Sequence, residues 1–396
     1  MSNSKKINMV KENNNYSVLV VHPGFSKHIC RFIRRLKLYN KAAHIDFLTF
    51  YYENKEIPSD ITENTNDIFY IKLLSSEKCS IKLFRLVYDY FHIRRQIRLL
   101  SSQHRYDVIN VHYPNMYFSF GAKFLKKMCR NLLITPWGSD VYQLHFYEKF
   151  FIKKLYDVSD NVTGVGNKFT KDYQAIFGVV DEKIVKLAIG SETADYFFSH
   201  KDLLTKDEAK EKIGIKGYYG IVTCYNGNPI GHHIEMFEAI KKIMKDIPEP
   251  IMILVQITYG YTEQYLTKLK KYIKDNNLDA IFFEKYLSLD ELYCLMMSAD
   301  MFIFVSDSDS NSAVLKEYLY LGKKVVLGEW LKYDDLLCCN PLPYFTVKSL
   351  TTLSDSIKEA YFSDNRSVDT EWKLNFENAG YNYWTPKWDE YYRSVR

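Results

Sequence analysis

The chain has 396 residues, of which 47% are hydrophobic and 26% charged, with a net charge of +5. That length usually makes two domains, and the apolar share is ample for sizeable cores. No run of about 18 apolar residues occurs, so no transmembrane helix is expected; the polar stretch Met1 to Tyr16 lacks the apolar centre of a signal peptide.

Seven cysteines are scattered without a Cys-x-x-Cys pair or zinc-ligand spacing, and Cys338-Cys339 are adjacent. Reduced thiols and a cytoplasmic protein are expected. The charge is uneven. Residues 1–195 carry 29 Lys and Arg against 19 Asp and Glu, whereas residues 196–396 carry 24 against 29.

In chain order, apolar runs bounded by turn residues predict strands at Ser17–Val21, Ile45–Phe50, Ile68–Leu73, Val108–Val111, Leu132–Thr135, Val162–Val165 and Ile184–Ile189. Amphipathic stretches separate most of them, for example Ile81–Leu100 and Tyr117–Cys129. A polar segment follows from Ser199 to Gly217. The pattern then restarts at Tyr219–Tyr225, Ile251–Thr258, Ile281–Glu284, Met301–Val305, Lys324–Leu327 and Tyr344–Val347. Runs without alternation suit strands covered on both faces, and strand-helix repetition implies doubly wound parallel sheets. The expected architecture is α/β, two Rossmann-like domains at 1–195 and 196–370, with a Trp- and Tyr-rich tail at 371–396.

Three basic clusters lie in the first half, at Lys27 to Lys37, Arg94 to Arg98 and Lys123 to Arg130, each alternating with apolar residues at helical spacing. Such helices can rest on an anionic membrane surface or simply face solvent. Nucleic acid is the weaker reading, since no recognition motif follows them.

Ligands of open parallel sheets bind beyond the carboxyl ends of the strands, so the loops there carry the chemistry. The most informative is Asp309-Ser-Asn-Ser-Ala-Val-Leu-Lys-Glu317, between a buried strand and a helix that Gly322 ends. A loop entering a helix N-terminus offers free N–H groups to an anion. Asp309 and Glu317 stand at its two ends, one placed for sugar hydroxyls and the other for ribose hydroxyls. Lys316 either assists phosphates or faces solvent.

This segment resembles the Glu-x7-Glu signature of retaining glycosyltransferases of family 4, with Asp309 replacing the first Glu. The resemblance implies the GT-B architecture: two Rossmann-like domains facing across a cleft, with a tail that crosses back onto the first domain. It implies a nucleotide-diphosphate sugar as donor and a lipid-linked or polysaccharide acceptor in bacterial surface glycan synthesis, without metal or other cofactor. Asp309 then holds donor-sugar hydroxyls, Glu317 the ribose, and the N–H groups of Ser310, Asn311 and Ser312 the diphosphate.

Other loops fit the same resemblance. Gly24, in His22-Pro23-Gly24-Phe25-Ser26, lies where such enzymes approach the diphosphate or acceptor. Trp137-Gly138-Ser139-Asp140 is similar to a family element facing the acceptor; Asp140 either takes a hydroxyl proton or caps the following helix. His112 is an acceptor contact or structural. In the second half, Asn226-Gly227-Asn228-Pro229-Ile230-Gly231-His232-His233 lacks the Arg and Lys that most of the family use as a diphosphate clamp. It is similar to the Gly loop and His of TDP-N-acetylfucosamine:lipid II transferases, as Thr258-Tyr259-Gly260 is to another of their elements. Asn226, Gly227 and His233, the last as an imidazolium, are assigned to pyrophosphate. Tyr259 is grouped with the donor site, and Tyr286 lies where the nucleotide base sits in such enzymes. A sugar-nucleotide epimerase and a non-catalytic nucleotide-sugar-binding protein remain open. A periplasmic binding protein is disfavoured by the missing leader.

Overall fold

The computed structural model describes residues 15–51, 56–75, 80–164, 167–201, 203–307, 309, 312–331, 344–364 and 370–396. The chain divides into two compact units, Met1–Gly190 with Tyr381–Arg396, and Ser191–Gly380. These divisions fall at 190/191 and 380/381, against sequence-based limits of 195/196 and 370/371.

In the first unit the strands are β1 (Ser17–Val21), β2 (His44–Tyr51), β3 (Ile68–Lys72), β4 (Tyr106–His112), β5 (Cys129–Thr135), β6 (Asn161–Thr163) and β7 (Ile184–Val185). They form one sheet in the order β3-β2-β1-β4-β5-β6-β7, and the pairs are parallel. Val18, Leu19, Val20 and Val21 are all buried, as expected for a central strand covered on both faces. The expected helix over 117–129 is two, Met116–Phe120 and Ala122–Met128, because the Gly121 N–H turns back to the Phe118 carbonyl at 3.1 Å.

The C-terminal helix Tyr381–Ser394 completes this unit. Trp388 is buried against Phe32, with ring centroids 5.1 Å apart, and its Nε1 donates to the Ala188 carbonyl at 2.8 Å. The Asn110 side-chain amide donates to Tyr392 Oη at 2.7 Å, and that of Asn40 to Asp389 at 2.7 Å.

The second unit holds β8 (Tyr219–Thr223), β9 (Ile251–Gln256), β10 (Ala280–Phe283), β11 (Met301–Phe304), β12 (Lys324–Gly328) and β13 (Tyr344–Val347), ordered β10-β9-β8-β11-β12-β13 and paired in parallel. Strand order reverses between β1 and β4 in one sheet and between β8 and β11 in the other. Loops diverge there beyond the strand ends and leave a crevice for a ligand. Two residues just past these points, Tyr113 and Cys224, both take φ of 55°, a left-handed conformation costly for non-glycine residues and frequent at functional sites.

Candidate functional site

In the second unit the loops after β8, β9 and β11 converge. The loop after β8 ends in a left-handed His232 and enters the helix His233–Ile243, whose first turn has no side-chain cap among the described residues. Its N–H groups therefore remain available to an anion. His233 is fully buried, with Nδ1 at 3.3 Å from Tyr265 Oη and Nε2 without a hydrogen-bond partner among the described residues. Burial lowers this imidazole to about 4, so it is neutral near pH 7. The expected imidazolium is corrected: burial outweighs the raising effect of a hydrogen bond with the Asn226 backbone, and His233 carries no charge near pH 7.

Gly227 is also corrected. Its N–H donates to the Tyr259 carbonyl at 2.7 Å and is committed within the protein. Glycine is required there by close packing, since a Cβ would lie 2.3 Å from Ile257 Cγ1 and 2.6 Å from Tyr261 Cβ. Asn226 folds its Oδ1 onto the Asn228 N–H at 2.9 Å. Tyr259 and Tyr286 are exposed and stack parallel, with centroids 5.9 Å apart.

Asp309 is half-buried beyond β11; burial raises the titration of Tyr225 and Tyr259, and the Asp309 charge adds to it in both. It also acts on Lys316, whose ammonium is lowered by burial to about 8 and pulled back upward by Asp309 and Glu317. Asp309, Lys316 and Glu317 are thus one electrostatic group. Glu317 is buried in the helix Ala313–Tyr320, and burial raises its carboxyl to about 7 against the lowering effect of a Thr193 hydrogen bond and of Lys316. Ser312 caps that helix, accepting from the Leu315 N–H at 3.1 Å. Ser310 and Asn311 lie outside the described residues.

In the first unit the ends of β1, β4 and β5 gather an aromatic cluster around Trp137. Its ring centroid lies 5.2 Å from His22, 5.9 Å from His28, 6.1 Å from His112 and 6.3 Å from Tyr113. Asp140 Oδ1 accepts from the N–H groups of Trp137 at 2.9 Å and Gly138 at 2.7 Å. Gly138 adopts φ 126°, which a side chain would resist. Of the two readings of Asp140, its Oδ1 serves the turn. Its Oδ2 is buried without a partner among the described residues, and burial raises the carboxyl to about 7. Ser139 Oγ meets Tyr113 Oη at 3.0 Å.

Of the two readings of His112, its enclosure fits the structural one. It is fully buried between Phe32, Trp388 and Trp137, and neither ring nitrogen has a hydrogen-bond partner among the described residues. Burial holds it neutral. Gly24 stands in open space, and His22 Nδ1 lies 2.6 Å from its carbonyl.

Known proteins share this fold. The family model described as Glycosyl transferase 4-like matches residues 17–164. Residues 17–164 of the first unit are thus similar to that family. A glycosyltransferase from Rickettsia africae is 17% identical, with 96% of this chain and 99% of that one covered at a TM-score of 0.67. A sucrose-phosphate synthase from Thermosynechococcus elongatus is 12% identical, with 96% and 99% covered and a TM-score of 0.66. Anabaena HepE in complex with UDP and glucose is 11% identical, with 96% and 100% covered and a TM-score of 0.63. No curated protein matches the sequence. The chain has the GT-B fold, and the expectation of a glycosyltransferase enzyme stands at that level.

Several residues of this glycosyltransferase fold were not singled out by sequence. Thr193 supports Glu317. Asp307 Oδ1 lies 2.7 Å from His232 Nε2 and joins two loops. Tyr113 and Tyr225 border the two sites. For Asp307, Tyr113 and Tyr225 the one signal is position just beyond a strand end. Among the described residues no group of three His, Cys, Asp or Glu gathers as a metal site.

Proposed function

We propose that the protein transfers a sugar from a nucleotide-diphosphate donor to a lipid-linked or polysaccharide acceptor in bacterial surface glycan synthesis, with retention at the anomeric carbon. The observation that carries the reading is the tie of His232 to Asp307 at 2.7 Å, which brings the mouth of the uncapped His233–Ile243 helix to the loop of Asp309, itself coupled to Lys316 and Glu317. Together they offer a carboxylate for sugar hydroxyls, another for ribose hydroxyls, and N–H donors with a cation for the diphosphate. A structural neighbour in complex with UDP-glucose supports the donor class.

The second unit then holds the donor, with base recognition around Tyr286 and diphosphate recognition by the first turn of the His233–Ile243 helix. Positioning and neutralisation of the leaving diphosphate supply the rate, since charge grows there in the transition state. Lys316 acts where the usual basic clamp is missing. The Trp137 to Asp140 turn takes the acceptor side, and the likeness of the His233 loop to lipid II transferases favours a lipid-linked acceptor. A cytoplasmic protein peripheral to the inner face of the membrane fits that substrate.

The test is release of nucleoside diphosphate from a panel of nucleotide sugars, with and without lipid-linked acceptor. Release from one donor, accelerated by acceptor, is expected. A product without any acceptor would instead mark an epimerase, and binding without turnover a non-catalytic protein. The anomeric configuration of the product decides between retention and inversion.

A further inference from the structure

The helix Lys82–Gln103 carries an exposed stripe that the donor site does not use. Leu83 is 70% exposed, Phe84 60% and Phe91 66%, and Val87 and Tyr88 are exposed on the same side. Residues 83, 87, 91 and 95, like 84, 88, 91, 95 and 98, follow helical spacing. The apolar half therefore continues directly into the exposed Arg95 and Arg98. From Leu83 to Arg98 the stripe runs roughly 22 Å at 1.5 Å per residue. The single acid of the helix, Asp89, is buried and accepts from the Leu74 N–H, so the exposed face has no negative side chain.

A second helix of the same unit also exposes aromatic rings. On Phe146–Val158, Phe146 is 90% exposed, Phe150 is also exposed, and Lys154 lies over the rings of Phe150 and Phe151. Consecutive ring contacts from Phe91 through Tyr90, Phe120 and Phe151 to Phe150 connect the two helices.

The other two basic clusters differ. Arg34 pairs with Asp60, Lys37 donates to the Ala43 carbonyl and Arg35 lies over Tyr381. Lys126 pairs with Asp160. Several of their cations are thus engaged within the unit, although Lys123 and Lys127 are exposed.

We propose that the Leu83–Phe91 stripe with Arg95 and Arg98, continued by Phe146 and Phe150, is a docking surface for a bilayer containing anionic lipid. Rings and aliphatic side chains enter the interface while the arginines meet lipid phosphates, the pattern of a helix lying in the interfacial plane. Charge argues against a second copy as occupant. Antiparallel pairing would press the arginines of each stripe onto the apolar half of the other and desolvate them; parallel pairing would set arginines against arginines. This deepens the lipid-linked acceptor reading, but vesicle binding needs neither donor nor turnover, so the two can fail separately.

The experiment is co-sedimentation of the full chain, without donor, with vesicles of phosphatidylcholine alone or of equimolar phosphatidylcholine and phosphatidylglycerol. Binding to the anionic vesicles is expected. The double variants Leu83→Glu with Phe91→Glu, and Arg95→Glu with Arg98→Glu, should each weaken it by about tenfold or more. Phe91→Trp should show blue-shifted emission on the same vesicles, a readout that does not depend on the double variants folding. Absence of binding, binding unaffected by Leu83→Glu with Phe91→Glu, or a concentration-dependent dimer that this pair abolishes would each overturn the proposal.

Discussion

His232 Nε2 and Asp307 Oδ1 lie 2.7 Å apart and tie the loop after β8 to the loop after β11. A backbone bond between the same loops, from the Asp307 N–H to the Ile230 carbonyl at 3.0 Å, runs beside them. The two strands border the point where strand order reverses, so this tie sets the spacing of the loops that would embrace a donor.

Removing the tie tests that role. His232→Ala should cost about 0.5–1 kcal/mol or less in overall stability, because the Asp307 side is exposed. Donor affinity should fall by several-fold, since the loops must be ordered on binding. Titration calorimetry with the active nucleotide sugar measures this, and an unchanged Kd would remove the loops from the donor site.

Glu317 gives a pH signature. Its carboxyl, raised to about 7 by burial, must ionise to accept two hydroxyls from the donor. Donor affinity should therefore increase with pH from about 6 to 7, by at most tenfold per unit, and level off towards 8 as Lys316, lowered by burial to about 8, begins to lose its proton. Glu317→Gln should bind weakly with little pH dependence. A wild-type Kd that is flat across this range contradicts the assignment.

Asp140 has a stability signature of the opposite sense to an ordinary surface acid. Its carboxyl rises from 3.8 to about 7 in the folded protein, so the folded state holds the proton more tightly than the unfolded one. The contribution is most favourable below the unfolded value and is lost as pH rises towards 7. The penalty at alkaline pH is on the order of 2–4 kcal/mol. Asp140→Asn, which keeps an oxygen for the Trp137 and Gly138 N–H groups, should melt higher than wild type at about pH 8 and no higher at about pH 4. Asp140→Ala should melt lower at both, because two buried donors lose their partner. Thermal unfolding at the two pH values separates these outcomes.

Trp388 anchors the C-terminal helix to the first unit. Trp388→Ala removes a large buried side chain and its bond to the Ala188 carbonyl, and should destabilise that unit by about 3–5 kcal/mol. Urea unfolding followed by circular dichroism reads the loss. A change below about 1 kcal/mol would mean that the helix does not belong to the unit's cooperative core.

Each of the thirteen strands among the described residues overlaps an expected apolar run, because a strand covered on both faces leaves an unbroken hydrophobic segment. Some ends were read too long. The run Ile184–Ile189 pairs only over Ile184–Val185, yet Leu187 is buried, and Ile257 is buried just after β9. Hydrophobicity reports burial, and buried loop residues extend the pattern past the last ladder bond. At the site, the Asp309 to Glu317 segment was visible because residue type and spacing carry it. The state of His233, the committed N–H of Gly227 and the enclosure of His112 were not.

The sequence by itself determined two doubly wound parallel sheets and which loops lie at their carboxyl ends, because local apolar periodicity and turn residues encode both. Only the tertiary structure decided which groups keep a charge or a free hydrogen-bonding atom. Those properties depend on burial by segments distant in sequence, as Trp388 encloses His112 and Thr193 meets Glu317.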